Sequence, residues 1–167
     1  MNTKSQTLSR ALTPLIALVF AALIPAATAS AATPEELTDR CVNRMMQTTQ
    51  RTVDAIHAAG AKGIHKIERL DENDKPVPLM VRAAHKANIG IEKREIKGDR
   101  KVNKAADKCL RILSNADDVD PALAAMINGA RADAIEAIHT AGVNTHIAVA
   151  DALEAALEDE GEPGTEE

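Results

Sequence analysis

The chain has 167 residues, a formal net charge of −5, two cysteines, one Phe, and neither Trp nor Tyr. Beyond Phe20 it has no Phe, Tyr or Trp, so it lacks the usual stacking platforms of single-stranded nucleic-acid binders and the cages that hold quaternary ammonium groups. It has no C-x-x-C-H run for haem attachment, and its length suits one domain.

Residues 1–31 read as a secretory signal peptide. Lys4 and Arg10 precede an apolar run from Ala11 to Ala27, and Ala27-Thr28-Ala29-Ser30-Ala31 supplies small residues at cleavage spacing, with the cut after Ala29 or Ala31. The run is about 17 residues long and holds Pro14 and Pro25, short of the ~20 residues that an anchoring span requires. Removing this segment leaves Ala32 to Glu167, a stretch rich in Ala, Leu, Ile and Val and without Phe, Tyr or Trp. An aliphatic, Ala-rich core of this kind suits closely packed helices.

The first predicted helix covers 34–70. Thr33 is the N-cap, Pro34 occupies the first turn, and Glu35 and Glu36 sit at the positive end of the dipole. Its apolar seam is Val42, Met46, Thr49, Val53, Ile56, Gly60, Gly63, Ile67 and Leu70, in steps of three and four. Asp71 to Pro76 is a break, and a second helix covers 77–113. One of its rows is Val77, Ala84, Ile91, Gly98, Ala105 and Ile112. The companion row of Val81, Val102 and Cys109 is interrupted by Asn88 and Glu95. Those two residues, with Gly90 and Gly98, leave open a division into two helices between 89 and 99. After Ser114 to Asp120, with Asp120 as N-cap and Pro121 behind it, a third helix covers 121–158. Its seam is Ile135, Ile138, Gly142, Thr145, Val149, Ala152 and Ala156. Residues 159–167 form an acidic, Gly- and Pro-containing tail expected to be disordered.

The expected fold is all-α: an elongated, coiled-coil-like antiparallel bundle of three helices in residues 32–158. If the first two helices fold back around Lys75, Cys41 and Cys109 are equidistant from the turn, so a Cys41–Cys109 disulfide is expected. The same fold-back puts Gly60 opposite Gly90, and folding the third helix around residue 117 brings Gly142 to their level. These glycines either allow close packing or kink the rods into shorter helices. Val53-Asp-Ala-Ile-His-Ala-Ala-Gly60 resembles Ile135-Glu-Ala-Ile-His-Thr-Ala-Gly142, with five of eight positions identical.

The second helix carries ten Lys/Arg against four Asp/Glu, whereas the third is acidic. Adjacent placement would neutralise the two. The histidines are the candidate metal ligands: His65 and His85 are equidistant from Lys75, with His146 within about a turn of their level, and His57 and His139 share a second level. Imidazoles from facing helices hold metals in bundles, so His65, His85 and His146 form a candidate zinc or copper site, with Glu68 or Asp151 able to complete it. As a rival, rim histidines are simply solvated. Ser114 is the lone serine after Ser30 and has no nucleophile motif around it, so no catalytic residue is assigned and an enzyme is not expected.

The function expected from sequence is that of an exported, non-enzymatic helical protein: an interaction module of the periplasm or cell envelope, with a partner protein or a second copy. The alternatives are the metal-binding bundle and a protein whose basic second helix associates with an anionic membrane surface. Nucleic acid is not an expected partner, and membrane association is not expected once the signal is removed.

Overall fold

In a computed structural model, residues 32–116 and 120–159 are described. The signal segment, its cleavage site, the fold-back around residue 117 and residues 160–167 of the acidic tail lie outside them. The described residues form three helices: α1 (Pro34–Asp71), α2 (Val77–Leu113) and α3 (Pro121–Asp159). Each packs against the other two, giving the expected all-α three-helix bundle. The helices have 38, 37 and 39 residues. At 1.5 Å per residue each is a rod of about 57 Å.

Local chemistry sets the ends of the rods. The Glu36 N–H donates to Thr33 Oγ1 at 3.3 Å, and the Ala122 N–H donates to Asp120 Oδ1 at 2.8 Å. Each bond satisfies an amide that the first helical turn would otherwise leave open. At the end of α1, the Lys75 N–H reaches the Leu70 carbonyl and the Asp74 N–H reaches that of Asp71, with Asp74 left-handed at φ 49°. This pair of bonds is a Schellman closure, and Asp is among the few non-glycine residues that tolerate that conformation. The chain then reverses into α2.

The reversal has the expected register. Cys41 and Cys109 are disulfide-bonded, with Cα atoms 6.1 Å apart. A disulfide of this kind fits an oxidising compartment.

No helix breaks at Gly60, Gly90, Gly98 or Gly142. Three of these glycines, together with Gly63, receive a neighbour instead. A Cβ on Gly60 would overlap Thr145 Cγ2, one on Gly63 would overlap the Ala87 Cβ, one on Gly98 would overlap Thr52 Cγ2, and one on Gly142 would overlap the Glu95 carboxylate. Close packing at these points leaves three unbroken rods.

The buried seam differs from the expected one in the first half of α1. Met45 is fully buried and Met46 is 62% exposed, and the flanking core positions are Thr38 and Thr52 rather than Val42 and Thr49. Choosing by apolarity selects the wrong stripe because the core here uses threonine. The hydroxyls of Thr38, Thr52 and Thr145 donate to the carbonyls of Pro34, Thr48 and Ala141, one turn earlier in each case. Each buried hydroxyl is thereby satisfied and turns its methyl to the core. In α2, Met80, Ala87, Ala106 and Leu113 are buried, while Val81 and Ile112 face outward.

The two similar octapeptides occupy equivalent environments. Ile56 and Ile138 are fully buried, Ala59 and Ala141 and the following Gly60 and Gly142 are buried, and His57 and His139 are exposed.

Candidate functional site

The α2–α3 seam carries a polar ladder. His146 Nδ1–H donates to Asn88 Oδ1 at 2.9 Å, and His139 Nε2–H donates to Asp99 Oδ2 at 2.9 Å. Arg131 pairs with Asp107 at 3.2 Å. Between the first two rungs, the Glu95 carboxylate lies over Gly142. Asn88 and Glu95, which interrupt the apolar row of α2, therefore have their counterparts on α3. Asp99 Oδ1, together with Asn103 Oδ1 one turn along, is buried without a hydrogen-bond partner.

The ladder corrects the expected neutralisation of α2 by α3. In both charged rungs the carboxylate is on α2 and the cationic or imidazole group is on α3. Helical geometry explains this: Asp99 and Asp107 lie two turns apart on the face of α2 that meets α3, so the Lys and Arg residues project elsewhere.

The candidate metal ligands do not form a three-residue group among the described residues. His65 is exposed and lies 3.9 Å from Glu68 on its own helix, a contact with no second imidazole in it. His85 is exposed. His146 is half-buried, with Nδ1 committed to Asn88. Among the described residues no three His, Cys, Asp or Glu side chains come together as a metal-sized group. Counting from Lys75 gives heights along the bundle, but convergence also requires the same side of it. His65 projects from the outer side of α1, whereas His85 lies one turn from Asn88 on α2, exposed beside the seam that holds His146.

A feature that the sequence reading missed lies on the outside of α3. From Ala137 to Ala150 the helix has no Asp, Glu, Lys or Arg. Its solvent side there includes Thr140, Val143 and Ile147, with Val143 56% and Ile147 53% exposed. Residues 133, 136, 140, 143, 147, 151 and 154 follow steps of three and four, so they form one stripe. It reads Asp133, Glu136, Thr140, Val143, Ile147, Asp151, Glu154: an apolar centre between two acidic pairs, all exposed. The signal was present as charge-free sequence. It went unread because α3 is apolar on both sides and its inner stripe absorbs the pattern.

On the opposite side of the bundle, α1 and α2 enclose two stretches of a shallow groove. Arg44, Lys101, Lys104 and Lys108 line the stretch beside the disulfide. Lys62, Lys66, Lys86 and Arg94 line the other. No Asp or Glu lines either stretch.

No protein-family model matches the chain, and no curated protein or solved structure shows significant similarity to it. Among the described residues no helix is long and apolar enough to cross a membrane.

Proposed function

We propose that the protein is an exported, non-enzymatic helical module that works by association, and that its outer α3 stripe is the surface through which copies associate. The carrying observation is the exposed pair Val143 and Ile147 within a charge-free run of α3. A helix that is apolar on both sides ordinarily has both sides covered. Among the described residues only the inner side of α3 is covered, by α1 and α2, and the outer stripe is the surface we assign to another molecule. Flanking acids keep such a stripe soluble and give its contacts orientation. Export rests on the signal-like segment 1–31 and on the disulfide.

The test is light scattering during size-exclusion chromatography of the disulfide-intact protein at several loading concentrations. The wild type is expected to have a mass above one chain that rises with concentration. Val143→Glu/Ile147→Glu is expected to elute as a single chain with unchanged helical circular dichroism. Association that survives this double substitution would remove α3 as the contact surface. A parallel run with added zinc or copper addresses the histidines: association that requires the metal would favour the metal-binding reading instead.

A further inference from the structure

We infer that the outer stripe of α3 docks into the α1/α2 groove of a second copy, so that copies join head to tail. The inference rests on the association proposed above and names the surface that receives the stripe.

The first argument is complementarity of sign. The stripe ends in Asp133 and Glu136 on one side and Asp151 and Glu154 on the other, and none of the four is ion-paired among the described residues. The groove is lined by cations with no carboxylate among them. Its Lys62, Lys86, Arg44 and Lys104 are all exposed and are likewise outside the ion pairs.

The second argument is spacing. Asp133 and Asp151 stand at the same interval as Glu136 and Glu154. Arg44 and Lys62 on α1 repeat that interval, as do Lys86 and Lys104 on α2. It amounts to five turns of helix, so each pair points in one direction with about 27 Å between its members. Antiparallel pairing of α1 with α2 sets Arg44 across from Lys104 and Lys62 across from Lys86, because each of these pairs brackets the turn almost as evenly as Cys41 and Cys109 do. The groove thus presents two cationic stations, and the stripe presents two acidic stations at the same interval.

The third argument is shape. Ala59, Gly63, Ala83, Ala87 and Gly90 line the groove at its Lys62–Lys86 station. Such small residues let another helix come close. A flexible polyanion would satisfy the lysines but leave Val143 and Ile147 bare, whereas a helix carrying its own apolar centre accounts for both. Because stripe and groove are different surfaces, each copy keeps one of each free after the first contact, and the assembly grows as an open chain.

The experiment uses the full disulfide-intact chain in sedimentation velocity at low salt. One variant reverses the groove, Lys62→Glu/Lys86→Glu/Arg44→Glu/Lys104→Glu. The other reverses the stripe, Asp133→Lys/Glu136→Lys/Asp151→Lys/Glu154→Lys. Each alone is expected to sediment as a single chain. A mixture of Val143→Glu/Ile147→Glu chains, whose groove is sound, with wild-type-stripe chains of the groove-reversed variant is expected to shift only where a sound stripe can meet a sound groove, and so to stop at a one-to-one dimer. Combining both reversals in one chain is expected to restore growth, which excludes misfolding as the cause of the losses. Association by the groove-reversed variant equal to wild type would overturn the inference while leaving stripe-on-stripe association intact. Absence of association by the wild type would overturn both. Loss in the groove variant only of binding to dextran sulfate or phosphatidylglycerol vesicles, with association unchanged, would assign the groove to an anionic polymer or membrane and would also overturn the inference.

Discussion

Cys41→Ser/Cys109→Ser is expected to lower the unfolding free energy by about 4 kcal/mol, the largest effect of any conservative change in this protein. The magnitude follows from loop length: the bridge spans a sequence separation of 68, and cross-linking so long a segment removes much of the freedom of the unfolded chain. For a domain of this size, whose total stability is of order 5–15 kcal/mol, that is a large fraction. It also falls at one place. The bond ties the first third of α1 to the last turns of α2, where the core is thin and Thr38 stands in for an aliphatic residue. Urea unfolding of the oxidised protein and the double serine variant measures the difference. A loss below about 1 kcal/mol would mean that the unfolded chain keeps these helices paired without the bridge.

Ile138→Ala is expected to cost about 3 kcal/mol in the same measurement, whereas Val143→Ala, further along α3, stays within about 0.5 kcal/mol. Ile138 is fully buried, and its Cδ1 would lie 3.1 Å from a Cβ on Gly98. Truncating it opens a void between α2 and α3 that neighbouring Ala and Gly residues are too short to fill. Val143 points to solvent, so in the single chain it has little to lose. Equal costs at the two positions would contradict the assignment of inner and outer faces on α3. At concentrations where copies associate, the Val143 variant is expected to show its effect in assembly rather than in unfolding.

The helices and their ends were legible because the breaks are chemical. Thr33-Pro34, Asp71 to Pro76 and Asp120-Pro121 each combine a capping side chain or a turn with a proline that starts a helix, and the observed boundaries fall within one residue of the expected ones. The hairpin register was legible for a different reason: two cysteines equidistant from one turn leave a single simple pairing. The inner faces were less legible. Threonine satisfies its own hydroxyl within a helix, so Thr38 and Thr52 can serve as core residues that apolar counting passes over. Asn88 and Glu95 looked like defects because their counterparts, His146 and Gly142, belong to a different helix and lie far away in sequence. Axial level is only one of the two coordinates that place a side chain on a bundle, so His65 can share a level with His85 and still lie on the outer side of α1. The outer stripe and the cationic groove needed the third dimension. Each is visible only once it is known which side of α3 and of α2 the bundle covers.

The most direct measurement is a dilution series of methyl NMR spectra of the disulfide-intact protein, from millimolar to low micromolar. The expected result is that the Val143 and Ile147 methyl signals move with concentration while those of the buried Ile56 and Ile138 stay fixed. Signals of all four residues that remain unchanged across the whole range would contradict an associating α3 face.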